Sequence, residues 1–391
     1  MRVAHPDVVV VGAGVVGAAC AEAMTANGLS VSVLDRGAPV TGTTASGEGN
    51  VLVSDKQPGP ELALAALSVD RWPRLLDALR EELGPAEAEA EWDAKGGLVV
   101  ATTPAAAGPL IEFAGAQRAE GVDARPVGPA GAAELEPHLT DRVAAAVHYP
   151  QDAQLNPVLA TLALLAAVRA RGGSVRAGIT ATGVRRDGRG AVRAVSTTAG
   201  DIACGAVVNA CGPWSAEFAR AAGTPIAVRP RRGMVLVTGP LSTLIRHKVY
   251  DADYVGTVGG SDADLRTSSV VESTKAGTVL IGSSRERAGF DQRVRVPVLR
   301  ELASKAVALF PVLGDVPVLR AYGGLRPYTP DHLPVIGPDP RLPGMWHATG
   351  HEGAGIGLAP ATGELLARLF TGAPTPVDPR PFRVDRAAVS G

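Results

Sequence analysis

The fold is decided by one run of sequence, Asp7-Val8-Val9-Val10-Val11-Gly12-Ala13-Gly14-Val15-Val16-Gly17. Its β-branched first half has no polar alternation, which is typical of a strand covered on both faces of a parallel sheet. Its glycines have the spacing G-x-G-x-x-G, and the small residues at 18–27 then predict a helix closed by Gly28. A second strand at 29–34 ends at Asp35. Residues 7–35 therefore predict a complete βαβ unit.

The glycine spacing also predicts a dinucleotide site at the turn of this unit. Gly12 permits the tight turn, Gly14 lets a pyrophosphate approach the backbone, and Gly17 lets the helix and the strand pack closely. The phosphates would lie at the positive end of the helix. Asp35 would accept hydrogen bonds from the ribose hydroxyls, which disfavours a 2′-phosphate and hence NADP. A glycine-rich turn without a ligand is the weaker alternative, because strand, helix and acid all stand in their places.

Two further segments favour FAD over NAD. Residues 43–50, Thr-Thr-Ala-Ser-Gly-Glu-Gly-Asn, supply small and hydroxylic side chains that can lie against a pyrophosphate and a ribityl chain. Residues 349–360 form a glycine loop that opens a helix, and the helix N-terminus would stabilise negative charge on a reduced flavin. A flexible linker and a plain glycine turn are the alternative interpretations of these two segments.

A third segment, residues 323–331, carries a candidate substrate anchor. Pro327 and Pro330 stiffen it, so that Arg326 would be held in one direction, suited to a bidentate contact with a carboxylate. The alternative is a structural arginine paired with Asp331 or with a nearby glutamate. The residues alone leave both interpretations open.

Length and composition set broad limits. A chain of 391 residues exceeds the usual size of one hydrophobic core, so we expect two lobes. The net charge of −1 does not suggest nucleic acid or anionic lipid as the main partner. Three cysteines without C-x-x-C spacing predict no metal or disulfide framework. With no signal peptide and no long apolar run, we expect a cytoplasmic protein without a transmembrane segment.

Taken together, residues 7–17, 35–36, 43–50, 208–214, 324–337 and 350–363 resemble the D-amino acid oxidase (DAO) superfamily of FAD enzymes. That superfamily includes glycine oxidase, sarcosine oxidase and D-amino acid dehydrogenase. Residues 55–60, 282–286 and 350–355 are most similar to the branch of hydrogen cyanide synthase, D-hydroxyproline dehydrogenase and opine oxidase catalytic subunits. The resemblance covers nearly the whole chain.

The resemblance implies an α/β fold with a Rossmann-like, GR2-type FAD lobe and an α+β substrate lobe with a mixed or antiparallel sheet. We expect the FAD lobe to comprise residues 1–88, 151–226 and 322–391, and the substrate lobe residues 89–150 and 227–321. No cysteine lies near Arg326 and no histidine lies beside Thr44, where some relatives attach flavin, so FAD should be bound non-covalently.

The same resemblance assigns site residues. Arg326 would anchor the substrate carboxylate, Tyr250 and Tyr254 would face the pocket from the substrate lobe, and His351 and Glu352 would shape the loop beside the flavin. For the tyrosines, packing or surface exposure is the alternative, and for His351 and Glu352 the alternative is that they shuttle protons. The expected cofactor-binding residues are Gly12, Ala13, Gly14, Val15, Val16, Gly17, Asp35, Arg36, Thr43, Thr44, Ala45, Ser46, Gly49, Asn50, Ala181, Ala210, Gly212, Trp214, Gly324, Arg326, Gly350, His351, Glu352, Gly353, Gly355, Ile356 and Gly357.

The function expected on this basis is oxidation of the C–N bond of a small amino or imino acid, with hydride passing from Cα to flavin N5 to leave an imine. Neither a Ser-His-Asp set nor an H-E-x-x-H motif is present, so no hydrolase chemistry is indicated. A tailoring enzyme for a larger or non-carboxylate amine, or a non-catalytic flavin-bound subunit, are the alternatives. The electron acceptor is open between oxygen, a quinone and a partner subunit carrying FMN or iron–sulfur.

Overall fold

The computed structural model describes residues 5–241, 244–252 and 265–390. Within them the helices are α1 (Val15–Ala26), α2 (Pro60–Leu83), α3 (Pro104–Ala119), α4 (Pro129–Leu135), α5 (Pro157–Ala170), α6 (Ser215–Ala221), α7 (Val296–Leu309), α8 (Gly355–Thr371) and α9 (Ala387–Ser390). The strands are β1 (Val8–Val11), β2 (Val31–Leu34), β3 (Asn50–Val51), β4 (Gly97–Ala101), β5 (Arg125–Val127), β6 (Ala145–Tyr149), β7 (Ala153–Gln154), β8 (Ser174–Arg176), β9 (Ala181–Arg186), β10 (Val192–Thr197), β11 (Gly200–Ala203), β12 (Ala206–Asn209), β13 (Arg229–Pro240), β14 (Lys248–Asp251), β15 (Arg266–Ser273), β16 (Thr278–Arg285), β17 (Val318–Tyr328), β18 (Val335–Pro338) and β19 (Met345–Thr349).

The first sheet is built around β1, in the strand order β18-β19-β12-β1-β2-β8. β1 pairs in parallel with β2 and with β12, and β19 extends the parallel part beside β12. Val8, Val9 and Val10 are fully buried, because helices and the neighbouring sheet cover both faces of this strand. The predicted parallel strand and βαβ unit are confirmed.

Two helices meet closely beneath the glycine turn. Gly363 of α8 lies so near α1 that a β-carbon on it would stand 2.5 Å from the carbonyl oxygen of Ala19. Side chains of α2 hold the first turn of α8: Ser68 Oγ donates to the Gly357 carbonyl at 2.5 Å, and Trp72 Nε1 donates to the Ile356 carbonyl at 3.1 Å. The helix that begins at residue 355 is thus fixed at its N-terminal end.

The second sheet has eight strands in the order β17-β13-β16-β15-β14-β4-β6-β5. Its pairs are antiparallel except β14 with β4, which is parallel, so the sheet is mixed. The predicted α/β fold with a second, mixed sheet is confirmed. β17 is one continuous strand paired with β13 from residue 318 to residue 328, and it therefore crosses the lobe boundary expected at 321 and 322. The division of the chain into lobes stays a prediction.

Some predicted element bounds differ from the observed ones. The helix predicted at 18–27 begins at Val15, and the helix that the sequence predicts at 358–370, opened by the glycine loop, begins at Gly355. In both cases glycines belong to the first turn, because an N-terminal turn tolerates residues with low helix propensity. The sequence also predicts a hairpin-like break at Gly259-Gly260, and this pair lies outside the described residues. No helix in the described part of the chain combines the length and hydropathy that crossing a bilayer requires.

Candidate active site

A cavity of about 670 Å³ is lined by residues of both sheets. Its walls come from the glycine turn after β1, the end of β2, most of residues 40–50, residues 179–182, the turn after β12, the C-terminal part of β17 and the loop before α8. The volume lies in the range of sites that hold a small molecule or a cofactor. The cavity also lies at the carboxyl ends of the parallel strands, where open α/β sheets bind ligands.

In the glycine turn, Gly12 and Gly17 lie so close to neighbouring backbone carbonyl groups that no side chain would fit. Gly12 has φ +113°, and a β-carbon there would lie 2.3 Å from the Ala210 carbonyl oxygen. A β-carbon on Gly17 would lie 2.0 Å from the Gly12 carbonyl oxygen. The turn therefore packs tightly against the strand behind it, and Gly12, Gly14 and Gly17 all line the cavity.

Asp35 is fixed at the end of β2 beside this turn. Its Oδ2 accepts from the Ala13 backbone N–H at 2.8 Å, and its Oδ1 accepts from the Gly37 backbone N–H at 2.9 Å. Each carboxylate oxygen can accept a second hydrogen bond, so the side chain can still bind hydroxyls in the cavity that it lines.

The segment at 43–50 is anchored at several points. Thr44 Oγ1 accepts from the Val15 backbone N–H at 3.0 Å in the first turn of α1. Thr43 Oγ1 donates to the Leu325 carbonyl at 2.5 Å, and Ser46 Oγ lies 3.4 Å from the Gly323 carbonyl oxygen. These contacts place the segment between α1 and β17, and the flexible-linker alternative is wrong.

An aromatic stack closes one side of the cavity. The guanidinium carbon of Arg36 lies 3.9 Å from the centroid of the Trp214 ring, and Trp214 stacks on Phe290 at a centroid distance of 5.6 Å. Cys211, in the turn just before, also lines the cavity. Burial raises the pKa of its thiol to about 12, so this cysteine is a poor nucleophile.

The loop before α8 is held by charged contacts. Burial lowers the pKa of His351 to about 3, so the ring is neutral, and its Nε2 lies 3.0 Å from Thr362 Oγ1. Glu352 has φ +48°, an unfavourable conformation for a residue other than glycine. Arg231 Nη1 donates to Glu352 Oε1 at 2.6 Å, and His332 Nδ1 lies 3.3 Å from Oε2.

The protonation of Glu352 follows from the same contacts. Burial alone would raise its pKa, but the hydrogen bond with His332 and the charges of Arg285 and Arg231 outweigh burial and lower the pKa to about 2. The carboxylate is therefore charged at neutral pH. Its ion pair with the buried Arg231 fixes the loop beside the cavity.

Arg326 extends from β17 across the neighbouring strand β13. Its Nη1 donates to the Ser284 carbonyl of β16 at 2.8 Å, and its Nη2 lies 3.4 Å from Ser283 Oγ. The guanidinium passes over Gly233, where a β-carbon would lie 2.1 Å from Nη1. Asp331, the acid expected for a structural pairing, forms its ion pair with Arg386, Nε to Oδ2 at 2.5 Å.

The structure brings most of the expected cofactor residues and three of the five expected catalytic residues to the cavity. Five expected cofactor residues do not line it: Ala13, Ala45, Gly49, Gly350 and Gly357. The glycines among them lie against other segments of the chain. A β-carbon on Gly49 would stand 1.9 Å from the Leu155 oxygen, and one on Gly350 would stand 2.6 Å from Thr329 Cγ2. A β-carbon on Gly357 would stand 3.0 Å from the Asn50 oxygen. They support the cavity wall from behind.

Tyr250 is not brought to the cavity. Its side chain is fully buried in β14, and its hydroxyl donates to Ser54. Its neighbour Val249 packs with Leu236 on the face of the sheet that α7 covers, so Tyr250 lies on the opposite face, but β14 is three strands away from β13 and the cavity. The packing alternative describes its position. Tyr254 lies outside the described residues.

Several residues that line the cavity were not among the expected site residues, among them Glu48, Gly233, Arg285 and Gln292. Glu48 is 8% exposed, and its Oε1 has no hydrogen-bond partner within the described ranges. Arg285 is 2% exposed at the end of β16. The polar run Ser283-Ser284-Arg285-Glu286 after apolar strand residues was the signal that could have drawn attention to Arg285.

The residues present fit FAD. The glycine turn and the start of α1 offer backbone N–H groups to a pyrophosphate, Asp35 offers acceptors to a ribose, and the cavity continues to the loop before α8. Among the described residues, no group of three or more histidine, cysteine, aspartate or glutamate side chains is arranged to hold a metal ion.

Comparison with known families gives an independent result. Residues 7–369 match the family described as FAD dependent oxidoreductase, DAO. The chain is 32% identical over 256 residues to the hydrogen cyanide synthase subunit HcnC of Pseudomonas protegens, an alignment that covers 65% of this chain and 58% of that protein. The chain thus spans less than two thirds of that relative. With the glycine oxidase of Geobacillus kaustophilus it is 28% identical over 384 residues, 97% of each protein.

Solved structures give the same grouping. The crystal structure of glycine oxidase from Geobacillus kaustophilus superposes with a TM-score of 0.88 at 27% identity, covering 98% of this chain and 99% of that one. The L-proline dehydrogenase from P. horikoshii superposes with a TM-score of 0.86 at 24% identity, covering 97% and 96%, and shares the fold.

Proposed function

The chain belongs to the DAO family of FAD-dependent oxidoreductases, and from that membership we propose that it oxidises the C–N bond of a small amino or imino acid. The observation that carries the proposal is Arg326, a guanidinium held at the cavity wall by the Ser284 carbonyl. Relatives named glycine oxidase support an amino acid as the substrate class.

Arg326 binds the substrate carboxylate. Its bond to the Ser284 carbonyl and its contact with Ser283 Oγ hold the guanidinium at the wall of the cavity that it lines. A guanidinium presents its donors in a fixed planar fork that matches a carboxylate, so one contact both binds and orients the substrate. Orientation of this kind is a large part of the rate enhancement in reactions that need little proton transfer.

FAD is held non-covalently by the glycine turn, Asp35, residues 43–50 and the loop before α8. When bound, it accepts the hydride that leaves the substrate α-carbon. The N-terminus of α8 lies at the cavity wall through Gly355 and Ile356, where its partial positive charge stabilises negative charge on the reduced cofactor.

Residues of the chain also bind the amine group of the substrate and fix the loop beside it. The substrate amine enters the reaction uncharged. Glu48 Oε1, a buried acceptor at the cavity, accepts a hydrogen bond from an N–H group of this amine. His351, neutral because of its burial, and Glu352, charged and paired with Arg231, hold the loop without moving a proton. Loss of hydride from the α-carbon leaves a protonated imine, which releases its proton to solvent; water then hydrolyses the imine, or a cyclic imine persists.

For the electron acceptor we propose a partner subunit carrying FMN or iron–sulfur, with a quinone or oxygen as the alternatives. The relatives named as subunits of hydrogen cyanide synthase support this choice. Slow return of the yellow colour in air after reduction by substrate is the expected result. Rapid return would make oxygen the acceptor.

The test of the proposed function is an anaerobic absorption spectrum of the FAD-loaded chain mixed with glycine, sarcosine, prolines, hydroxyprolines, D-amino acids, opines and simple amines. We expect at least one amino or imino acid to bleach the oxidised flavin band. Bleaching only by amines that lack a carboxylate would favour a tailoring amine oxidoreductase. No bleaching by any compound would favour a non-catalytic subunit.

The Arg326→Ala variant tests the anchor. Losing a charged bidentate contact should cost roughly 3 kcal/mol of transition-state stabilisation, which lowers kcat/KM more than 100-fold. Arg320→Ala is the matched control, since Arg320 lies on the same strand, is exposed and does not line the cavity. Normal turnover of amino acids by Arg326→Ala would refute the assignment.

A further inference from the structure

We propose that Glu48 is the base that takes the proton from the ammonium group of the substrate before hydride leaves the α-carbon. The amine reacts uncharged, although α-amino groups are largely protonated in neutral water. This inference rests on the proposed function and deepens it, because the zwitterion becomes the form of the substrate that the site takes up. Glu48 is then a catalytic residue as well as a hydrogen-bond acceptor.

The carboxylate of Glu48 is buried at the cavity, and one of its oxygens has no partner in the protein. Glu48 is 8% exposed and lines the cavity. Within the described parts of the chain, its Oε1 accepts no hydrogen bond. A buried carboxylate oxygen without a donor is unfavourable, because nothing compensates the loss of water. A ligand that brings an N–H group to Glu48 supplies the missing donor.

The other oxygen of this carboxylate is oriented by the side chains behind it. Lys248 Nζ donates to Asn50 Oδ1 and forms an ion pair with Glu272 Oε2 at 3.0 Å. Because the oxygen of the Asn50 amide is turned to Lys248, its Nδ2 faces Glu48, 3.5 Å from Oε2. The backbone is held as well, since Gln154 Nε2 donates to the Glu48 carbonyl at 3.1 Å. The contact that orients the carboxylate therefore engages Oε2 and leaves Oε1 for a ligand.

The positions of Glu48 and Arg326 suit the two ends of one amino acid. Glu48 Oε1 lies against Gly282 of β16, where a β-carbon would stand 2.3 Å from it. Arg326 Nη1 donates to the carbonyl of Ser284, two residues further along the same strand. Two residues span at most about 7 Å, whereas the amine nitrogen and the carboxyl carbon of an amino acid are about 2.5 Å apart, with a hydrogen bond of about 2.9 Å at each end. One α-amino acid can thus contact both groups.

The proton transfer is a balanced step between the substrate and Glu48. An N–H bond of the ammonium breaks, its electron pair stays on nitrogen, and the proton forms an O–H bond on the carboxylate. The lone pair on nitrogen then forms the C=N bond as hydride leaves the α-carbon for FAD. In a buried site the transfer replaces two opposite charges by two neutral groups, which the loss of solvation favours. Glu48 releases its proton to water when the product has left.

The groups around Glu48 define the pH range for a test. They comprise Glu272 of β15, Lys248 of β14 and Tyr322 of β17, with Arg285, Arg326 and Glu352 at the same cavity. Burial and, to a smaller extent, the charge of Glu48 raise the pKa of Glu272 to about 7, although Lys248 lowers it. Burial and the charge of Glu48 raise the pKa of Tyr322 above its usual range. Because arginine stays protonated, these carboxylates, the phenol and the guanidinium groups do not titrate between about pH 8 and 9.5.

The first experiment measures anaerobic flavin reduction of the FAD-loaded chain from about pH 8 to 9.5 with glycine, sarcosine, D-proline and L-proline. It compares the wild type, Glu48→Gln and the control Glu286→Gln. Glu286 follows β16, does not line the cavity and pairs with Arg232 and Arg295. For the substrate that is oxidised fastest, kcat/KM of the wild type and of Glu286→Gln should change less than about threefold over this range. In Glu48→Gln, kcat/KM should fall about tenfold for each pH unit below the pKa of the substrate ammonium, because only the uncharged fraction reacts.

The second experiment counts protons and needs no turnover. 2-Aminoisobutyrate carries an ammonium and a carboxylate but has no α-hydrogen, so it cannot be oxidised at that carbon. Its binding at pH 8 is read from the flavin spectrum, and a pH indicator in weak buffer reports the protons released. The wild type and Glu286→Gln should release about zero protons per ligand, because the ammonium proton stays in the site. Glu48→Gln should release about one, since a buried ammonium without a carboxylate is unfavourable and the neutral amine binds instead.

A wild-type kcat/KM that falls about tenfold per pH unit, or a wild type that releases about one proton per ligand, would overturn the inference and leave the proposed function intact. If Glu48→Gln does not retain FAD, the wild-type profile and proton count decide. If none of the amino or imino acids bleaches the flavin, the proposed function fails, and the proton count still tests Glu48. No binding of 2-aminoisobutyrate or of the four amino and imino acids would overturn the inference as well.

Discussion

The substitution Gly233→Ala should impair catalysis while leaving the fold intact. A β-carbon at this position would lie 2.1 Å from Arg326 Nη1 and 2.6 Å from the guanidinium carbon. Ordinary contact between such atoms begins near 3.4 Å, so the guanidinium must move by more than 1 Å. The movement falls on the far end of a flexible side chain, and the backbone of β13 need not shift.

The size of the effect depends on the contacts that the movement breaks. The hydrogen bond from Arg326 to the Ser284 carbonyl, 2.8 Å long, is charge-assisted and contributes about 1.5–3 kcal/mol. A misplacement of about 1 Å in a positioning group can lower a rate by about 100-fold. We therefore expect kcat/KM to fall by about 100-fold, equivalent to about 2.7 kcal/mol. The free energy of unfolding should change by no more than about 1 kcal/mol, because alanine costs less backbone entropy than glycine.

The assay combines anaerobic flavin reduction with thermal denaturation of the FAD-loaded chain. Gly239→Ala is the matched control: it lies on the same strand, and its β-carbon would make an ordinary contact with Pro317 Cγ at 3.8 Å. Gly239→Ala should keep wild-type kcat/KM and a similar Tm. Wild-type kcat/KM in Gly233→Ala would show that the observed path of Arg326 is not needed, and a large loss of Tm would show that the contact is structural.

Three further predictions concern the cofactor site, pH and helix packing. Asp35→Asn should weaken FAD binding about 10–100-fold by titration of flavin fluorescence, because charged hydrogen-bond acceptors contribute about 1.5–3 kcal/mol; unchanged affinity would contradict the role of Asp35. Burial raises the pKa of Asp152 to about 7. The folded chain thus keeps a proton that the unfolded chain releases near pH 4. The free energy of unfolding should therefore fall between about pH 4 and 7 by up to about 1.4 kcal/mol per pH unit. Urea denaturation at several pH values should show a smaller slope for Asp152→Asn than for the wild type. Gly363→Ala should destabilise the chain by about 1–3 kcal/mol through its backbone clash, whereas Gly108→Ala, in open space within α3, should leave Tm equal or higher.

The parts of the fold and site that the sequence predicted are those encoded by neighbouring residues. The turn from Gly12 to Gly17 needs closely spaced glycines after a buried strand, and all three glycines line the cavity. Asp35 follows at the end of the next strand, and its contact with the Ala13 N–H joins residues only 22 positions apart. Local spacing is visible in a sequence, because such patterns do not depend on distant pairing.

The parts that escaped prediction depend on strand register between distant segments. Gly233 lines the cavity because β13 pairs with β17, which places Gly233 opposite Gly324. Arg285 reaches the cavity because β16 lies on the other side of β13. Tyr250 does not reach the cavity because β14 lies three strands away from β13 in the second sheet. A single sequence carries no direct record of these registers.

The position of β19 in the first sheet also has a consequence for synthesis of the protein on the ribosome. β19 covers the edge of β12, yet more than 130 residues separate the two strands in the chain. While the nascent chain emerges, the glycine turn and β12 are complete long before their neighbour arrives, and an uncovered strand edge is prone to pair with other chains. The residues around 350–356 that line the cavity arrive later still. Capture of FAD is therefore expected as a late event of biogenesis, and chains stalled before residue 345 should depend on chaperones to stay unaggregated.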